Sequence, residues 1–173
     1  MTPNTQTKAQ VAEGPPHAMR ADFINPFINA TIGVISTMAS IRPEVGRPRL
    51  KPDTPSASDV TGIIGLVGEG VEGTMCIGFS KSCILKIASN MIGEEFTEMN
   101  RDIEDAVGEL TNMISGASRA ELETTGYSFQ MAIPSVISGQ GHSVSTKTRS
   151  PVIQIPFSTE FGAFYVEACL SKK

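Results

Sequence analysis

Three features of this chain point to an α+β domain, with a mainly antiparallel sheet and long helices packed on one of its faces. Three segments carry apolar residues at the three-and-four spacing of a helix. A pair of strand-like runs around a glycine turn lies between the first two, and four further strand-like runs follow the third with no helix among them. Strands in consecutive runs join as hairpins, whereas strict alternation with helices would give a parallel sheet. The 173 residues are 40% hydrophobic, enough to bury one sizeable core.

The first twenty residues are polar, contain a Pro-Pro pair and lack the apolar run of a secretory signal. Residues 1–21 are therefore expected to be a disordered leader or tag remnant, and 22–173 the folded domain. Residues 25–41 read as the first helix. Asn25 serves as N-cap, Pro26 takes the first helical position, and Phe27, Ile28, Thr31, Val34, Ile35 and Met38 give the period. Pro43 ends it. After a proline-rich connector, residues 60–67 and 73–79 read as two strands. Ser80 is placed to cap a short helix over 81–91 that Gly93 closes. The long central helix starts near Thr97 or Asn100 and runs to Leu122. Residues 127–133, 142–148, 152–157 and 163–170 read as strands, with "TTGY" and "ISGQGHS" as turns.

The formal charge is −4 and the pI about 5.2, with no clustered basic surface of the kind nucleic acid requires. The densest basic run, Arg42 to Lys51, reads as a solvated connector into an edge strand. Three cysteines without a CxxC read as reduced thiols in a cytoplasmic protein, Cys76 and Cys169 being buried packing residues. No run approaches the roughly 20 apolar residues of a membrane span.

Several motifs are rejected on context. "GEGVEG" matches G-x-G-x-x-G, but strand-like sequence follows where a dinucleotide site needs a helix N-terminus. His17 and His142 are the only histidines, so neither a histidine-based triad nor a multi-histidine metal site is available. Asp102, Glu104 and Asp105 suit the positive end of the central helix.

The central helix raises a sharper question. Ile103, Ala106, Val107, Leu110, Ile114 and Ala117 fall on one side, the expected core face. Asp105, Glu109, Asn112 and Gly116 fall in a separate outward stripe that Gly108 borders, and Glu109 and Asn112 emerge side by side. Each glycine costs roughly 1 kcal/mol against alanine inside a helix. Two of them on the outward side suggest close approach by another helix, by a symmetry mate or by a partner protein. An amide donates and accepts hydrogen bonds at once, so Asn112 suits the orientation of a water molecule. An exposed glutamate is a carboxylate at neutral pH and suits pairing with a lysine. Such a pair can complete a site that a partner mostly supplies. Phosphoryl transfer is the chemistry that fits, because its catalysis is largely positioning and charge neutralisation. The ExxN spacing is unspecific by itself, but it occurs once here, and on a suitable helix.

"DAVGELTNMISG" resembles the signature of the CheC, CheX and FliY chemotaxis phosphatase family: Asp or Ser, three residues, Glu, two residues, Asn. Asp105, Glu109 and Asn112 fill those positions, and Pro134 in "AIPSVISG" matches a downstream proline, one residue early. "INPFINATIGVISTM", "GIIGLVGEGVEGTMCIGFS", "MIGEEF" and "IPFSTEFGAFYVE" are also similar to family segments, so the resemblance covers about residues 22–170. A single motif, with no second Glu in "NPFIN", matches the CheX branch. The resemblance implies an outward-facing motif helix, a homodimer, and a protein-aspartyl-phosphate phosphatase acting on CheY or a similar response-regulator receiver domain. Asn112 would orient the attacking water and Glu109 would pair with the receiver's lysine. Asp105, Gly108 and Gly116 would line the partner surface. Mg²⁺ would be held by the receiver, and no metal or cofactor by this chain. A non-catalytic receiver-binding or flagellar-switch scaffold is the alternative.

Overall fold

The computed structural model describes residues 20–54, 57–146, 148 and 150–172. Among them the order is α1 (Ala21–Ala39), β1 (Glu44–Val45), β2 (Arg49–Leu50), β3 (Ser58–Gly68), β4 (Val71–Phe79), α2 (Lys81–Ile92), α3 (Arg101–Glu123), β5 (Gln130–Met131), β6 (Ser135–His142), β7 (Ile153–Thr159) and β8 (Gly162–Lys172). The eight strands form one sheet, β1-β7-β8-β4-β3-β5, with β2 also on β7 and β6 also on β3. Their pairings are antiparallel. This is the α+β arrangement expected from consecutive strands. The residues before Arg20 lie outside the described region.

The pleat decides which face is covered. Val60, Ile64 and Leu66 of β3 lie level with Phe79, Met75 and Gly73 of β4, and the apolar ones are buried beneath the helices. Phe164, on β8, stacks between Phe79 and Phe157 at ring separations of 5.1 and 5.0 Å, continuing this layer across the sheet. Helix α3 supplies Ile103, Val107, Leu110 and Ile114 to the same core, and α2 supplies Cys83, Ile84 and Ile87.

Helix α1 begins four residues before the expected Asn25 cap, with Arg20 in the N-cap position. The core outweighs the local signal: Phe23 and Ile24 are buried, and Phe23 packs edge-on against Phe27 at 5.4 Å. Pro26 then sits inside the helix, where it removes one backbone donor. At the other end, Ser40 in a left-handed conformation closes the helix before Pro43 is reached. Ser80 is the N-cap residue of α2 but makes no side-chain cap bond. Asp59 of β3 caps the helix instead, accepting from the Lys81 amide at 2.7 Å.

Two further expectations change. Residues 135–142, read as containing a turn, form strand β6, and residues 143–146 are irregular. Gly139 and Gly141 have positive φ and accompany a register shift within the pairing, not a reversal of the chain. The basic run is also more than a solvated connector. Lys51 reaches the outer face of the sheet and pairs with Glu167 at 2.7 Å, a carboxylate only 2% exposed. Gln154 donates to the other oxygen of Glu167 at 3.0 Å, and Arg49 donates to Gln154.

His142 ties the end of β6 to β3. Its Nδ1 donates to the Gly139 carbonyl at 2.7 Å, and its Nε2 is hydrogen-bonded to Thr61 Oγ1 at 2.8 Å. Ser58 and Thr61 share a hydrogen bond at 2.6 Å, and Tyr165 donates to Ser58.

Candidate functional site on helix α3

Helix α3 is held at both ends. The Asn100 side chain accepts from the Ile103 amide at 3.1 Å, and Asp102 and Glu104 occupy the first turn, where the helix dipole favours acids. At the far end, Gly126 has φ +92° and turns the chain toward β5. One flank of α3 faces α1, the other faces β6, and its inner side rests on β3.

The inner side is more polar than its period suggested. Thr111, Ser115 and Ser118 are buried, whereas Ala117, expected in the core, is exposed. Thr111 and Ser118 fit because their hydroxyls donate to carbonyls one turn back, Val107 at 2.6 Å and Ile114 at 2.7 Å. Small side chains here bring α3 close to the sheet at Thr111, over Gly62 of β3.

The outward stripe carries Asp105, Glu109 and Asn112, all exposed, with Gly108 and Gly116 half-buried beside them. Among the described residues, neither Glu109 nor Asn112 makes a side-chain hydrogen bond or ion pair within the chain. Asn29 of α1 behaves differently. Its amide donates to both carboxylate oxygens of Glu121, at 3.0 and 3.3 Å, and so ties α1 to α3. Glu109 and Asn112 thus form an unengaged amide–carboxylate pair on an exposed helix face. No three His, Cys, Asp or Glu residues gather into a cation site among the described residues.

Gly108 borders the edge strand. A Cβ built there would lie 3.5 Å from Val136 Cγ2 of β6, an ordinary contact. The neighbour at Gly108 is thus a strand of the same chain and not a helix, and its contact alone does not require glycine. One turn further along α3 is Asn112, about 6 Å away, the length of two strand residues. The Gly108–Val136 contact thus places the start of β6 within about one helical turn of Asn112, and Pro134 comes two residues before Val136 in the chain.

This region of the edge is irregular. Leu66 pairs with Met131, and the Ala132 amide donates to the Gly65 carbonyl, but Ile63 pairs with Ser135. Ile133 and Pro134 together stand opposite Ile64 alone, which makes a β-bulge. A proline is tolerated there because the ladder does not need its missing N–H. Sequence reasoning singled out Pro134 but missed Ile133. No local signal marks a bulge, and Ile133 reads as an ordinary strand residue.

A match to the family described as chemotaxis phosphatase CheX spans residues 60–158, more than half of the chain and all of α3. The chain belongs to the CheX family. A chemotaxis protein CheX of Desulfovibrio desulfuricans is 44% identical to this CheX-family chain, with a TM-score of 0.82 over 87% of this chain and 99% of that one. The CheY-P phosphatase CheX of Thermotoga maritima is 28% identical over 141 residues, 81% of this chain and 89% of that protein. The CheX–CheY–BeF3–Mg²⁺ complex of Borrelia burgdorferi gives a TM-score of 0.76 at 28% identity, over 88% of this chain and 100% of that one. Among the described residues, no helix of this family member is long and apolar enough to cross a membrane.

Proposed function

We propose that this chain is a cytoplasmic phosphatase that hydrolyses the aspartyl phosphate of a CheY-type receiver domain. The observation that carries the reading is the unengaged Asn112 amide beside Glu109 on an open helix face, in a chain of the CheX family. Names among its relatives agree with it: one is called a CheY-P phosphatase, and another was crystallised with CheY.

The chemistry follows from the two side chains. The receiver carries the phosphoryl group and Mg²⁺, which neutralises charge on the phosphoryl oxygens. Asn112 enters the receiver's site and holds a water in line with the scissile P–O bond. That water attacks phosphorus, the bond to the aspartate oxygen breaks, and inorganic phosphate leaves with the carboxylate restored. Glu109 pairs with a receiver lysine and fixes the docked orientation. Asp105 adds negative charge on the same side, and Gly108 and Gly116 keep the helix surface low where the receiver backbone approaches. The proposal includes a homodimer, which light scattering reads directly. The test is phosphate release from a panel of phosphorylated receivers. The reading requires at least one to lose phosphate faster with the chain than without it; if none does, the reading is wrong.

A further inference from the structure

We propose that Ile133 is the apolar anchor that seats the receiver beside Asn112. The inference rests on the receiver-phosphatase reading and adds a docking residue to it. Ile133 is 89% exposed, against 42–52% for the other exposed large apolar side chains among the described residues: Val45, Leu50, Val67, Ile92 and Ile137. An exposed isoleucine alone is ordinary. This one is thrown outward by the bulge opposite Ile64, and a bulge re-aims a side chain at a defined place. Ile133 comes three residues before Val136, which lies against Gly108, one turn of α3 from Asn112.

The surroundings favour a receiver over a second copy of this chain. Asp105 and Glu109 make the adjoining stripe acidic, which complements a partner that presents a lysine. A two-fold axis through Ile133 would instead bring two acidic stripes together, at the cost of like-charge repulsion. The surface thus combines one apolar projection, one acidic stripe and one free amide, which fits a partner with a small apolar depression beside a basic group.

The test uses the full chain and a CheY-type receiver activated with BeF3⁻ and Mg²⁺ for binding, or phosphorylated for turnover. Burying one isoleucine predicts that Ile133→Ser raises Kd and KM roughly tenfold to a hundredfold. At saturation kcat stays within about twofold, because the water-orienting amide is untouched. Thermal unfolding of Ile133→Ser matches wild type, since the side chain lies in solvent. Ile92→Ser, at the end of α2, changes neither constant. Equal kcat/KM for wild type and Ile133→Ser would overturn the anchor alone. So would a fall in kcat with KM unchanged, or a dimer turned monomer at unchanged kcat/KM, which would give the residue to a second copy. A wild-type chain that neither binds nor dephosphorylates any receiver would overturn the anchor and the phosphatase reading together.

Discussion

Gly62 and Thr111 set the height of helix α3: a Cβ on Gly62 would collide with Thr111 Oγ1, so α3 lies directly on the backbone of β3. The stripe with Glu109 and Asn112 is presented by a helix with no slack beneath it. Gly62→Ala is expected to destabilise the fold by about 1–3 kcal/mol through overpacking. In a Thr111→Ala background the same change costs less, and a double-mutant cycle by chemical denaturation reads the difference.

Gly108 gives the opposite expectation. Its neighbour Val136 leaves room for a methyl group, so own-chain packing does not demand glycine. Gly108→Ala is expected to stabilise the chain by about 0.5–1 kcal/mol, from helix propensity. If the receiver backbone uses that space, the same variant dephosphorylates the receiver more slowly. Melting curves and turnover measured on one preparation separate the two effects.

Much of this architecture could be read from local signals, because those signals and the core agree. Asn100 caps α3, Gly93 closes α2 and Gly70 turns the β3–β4 hairpin with φ +71°, each as its residue type favours. The misreadings occur where distant contacts outweigh local chemistry. Phe23 extends α1 past its expected cap because it is buried against Phe27. Gly139 and Gly141 look like a turn, yet β3 supplies a partner strand and makes them part of β6. Lys51 looks like surface charge, yet Glu167, 116 residues away in sequence, draws it inward. Of the candidate site, the Glu109–Asn112 stripe follows from helical geometry alone. The bulge that ejects Ile133 depends on pairing with β3 and leaves no trace in the local sequence.

The Lys51–Glu167 pair yields a stability prediction remote from the stripe. Glu167 is almost wholly buried, and Lys51 is its cationic partner at 2.7 Å. Lys51→Met removes that charge from beside a buried carboxylate and is expected to cost about 3 kcal/mol in urea unfolding. Below the melting temperature, turnover stays near wild type.

The thiols predict alkaline behaviour. Burial pushes Cys76 from 9.0 up to about 12 and Cys83 from 9.0 up to about 11, the Glu167 charge adding to the effect at Cys76. Raised folded values mean that the native state holds these protons more tightly than the unfolded chain. Their contribution is complete below about pH 9 and is lost as pH rises toward the folded values. Between about pH 9 and 11 stability should fall by about 1.4 kcal/mol per pH unit for each thiol. Denaturation midpoints across that range check the slope, and both thiols should resist a thiol reagent at pH 8 until the chain unfolds.

The most direct measurement is the decay of a receiver's aspartyl phosphate with wild-type chain, Asn112→Ala, Glu109→Ala or no addition. Both side chains are exposed, so each variant should unfold within about 0.5 kcal/mol of wild type. The account predicts accelerated decay with wild type, a loss of about a hundredfold or more with Asn112→Ala, and a fall with Glu109→Ala that appears mainly in KM. Full acceleration by a folded Asn112→Ala protein would contradict it.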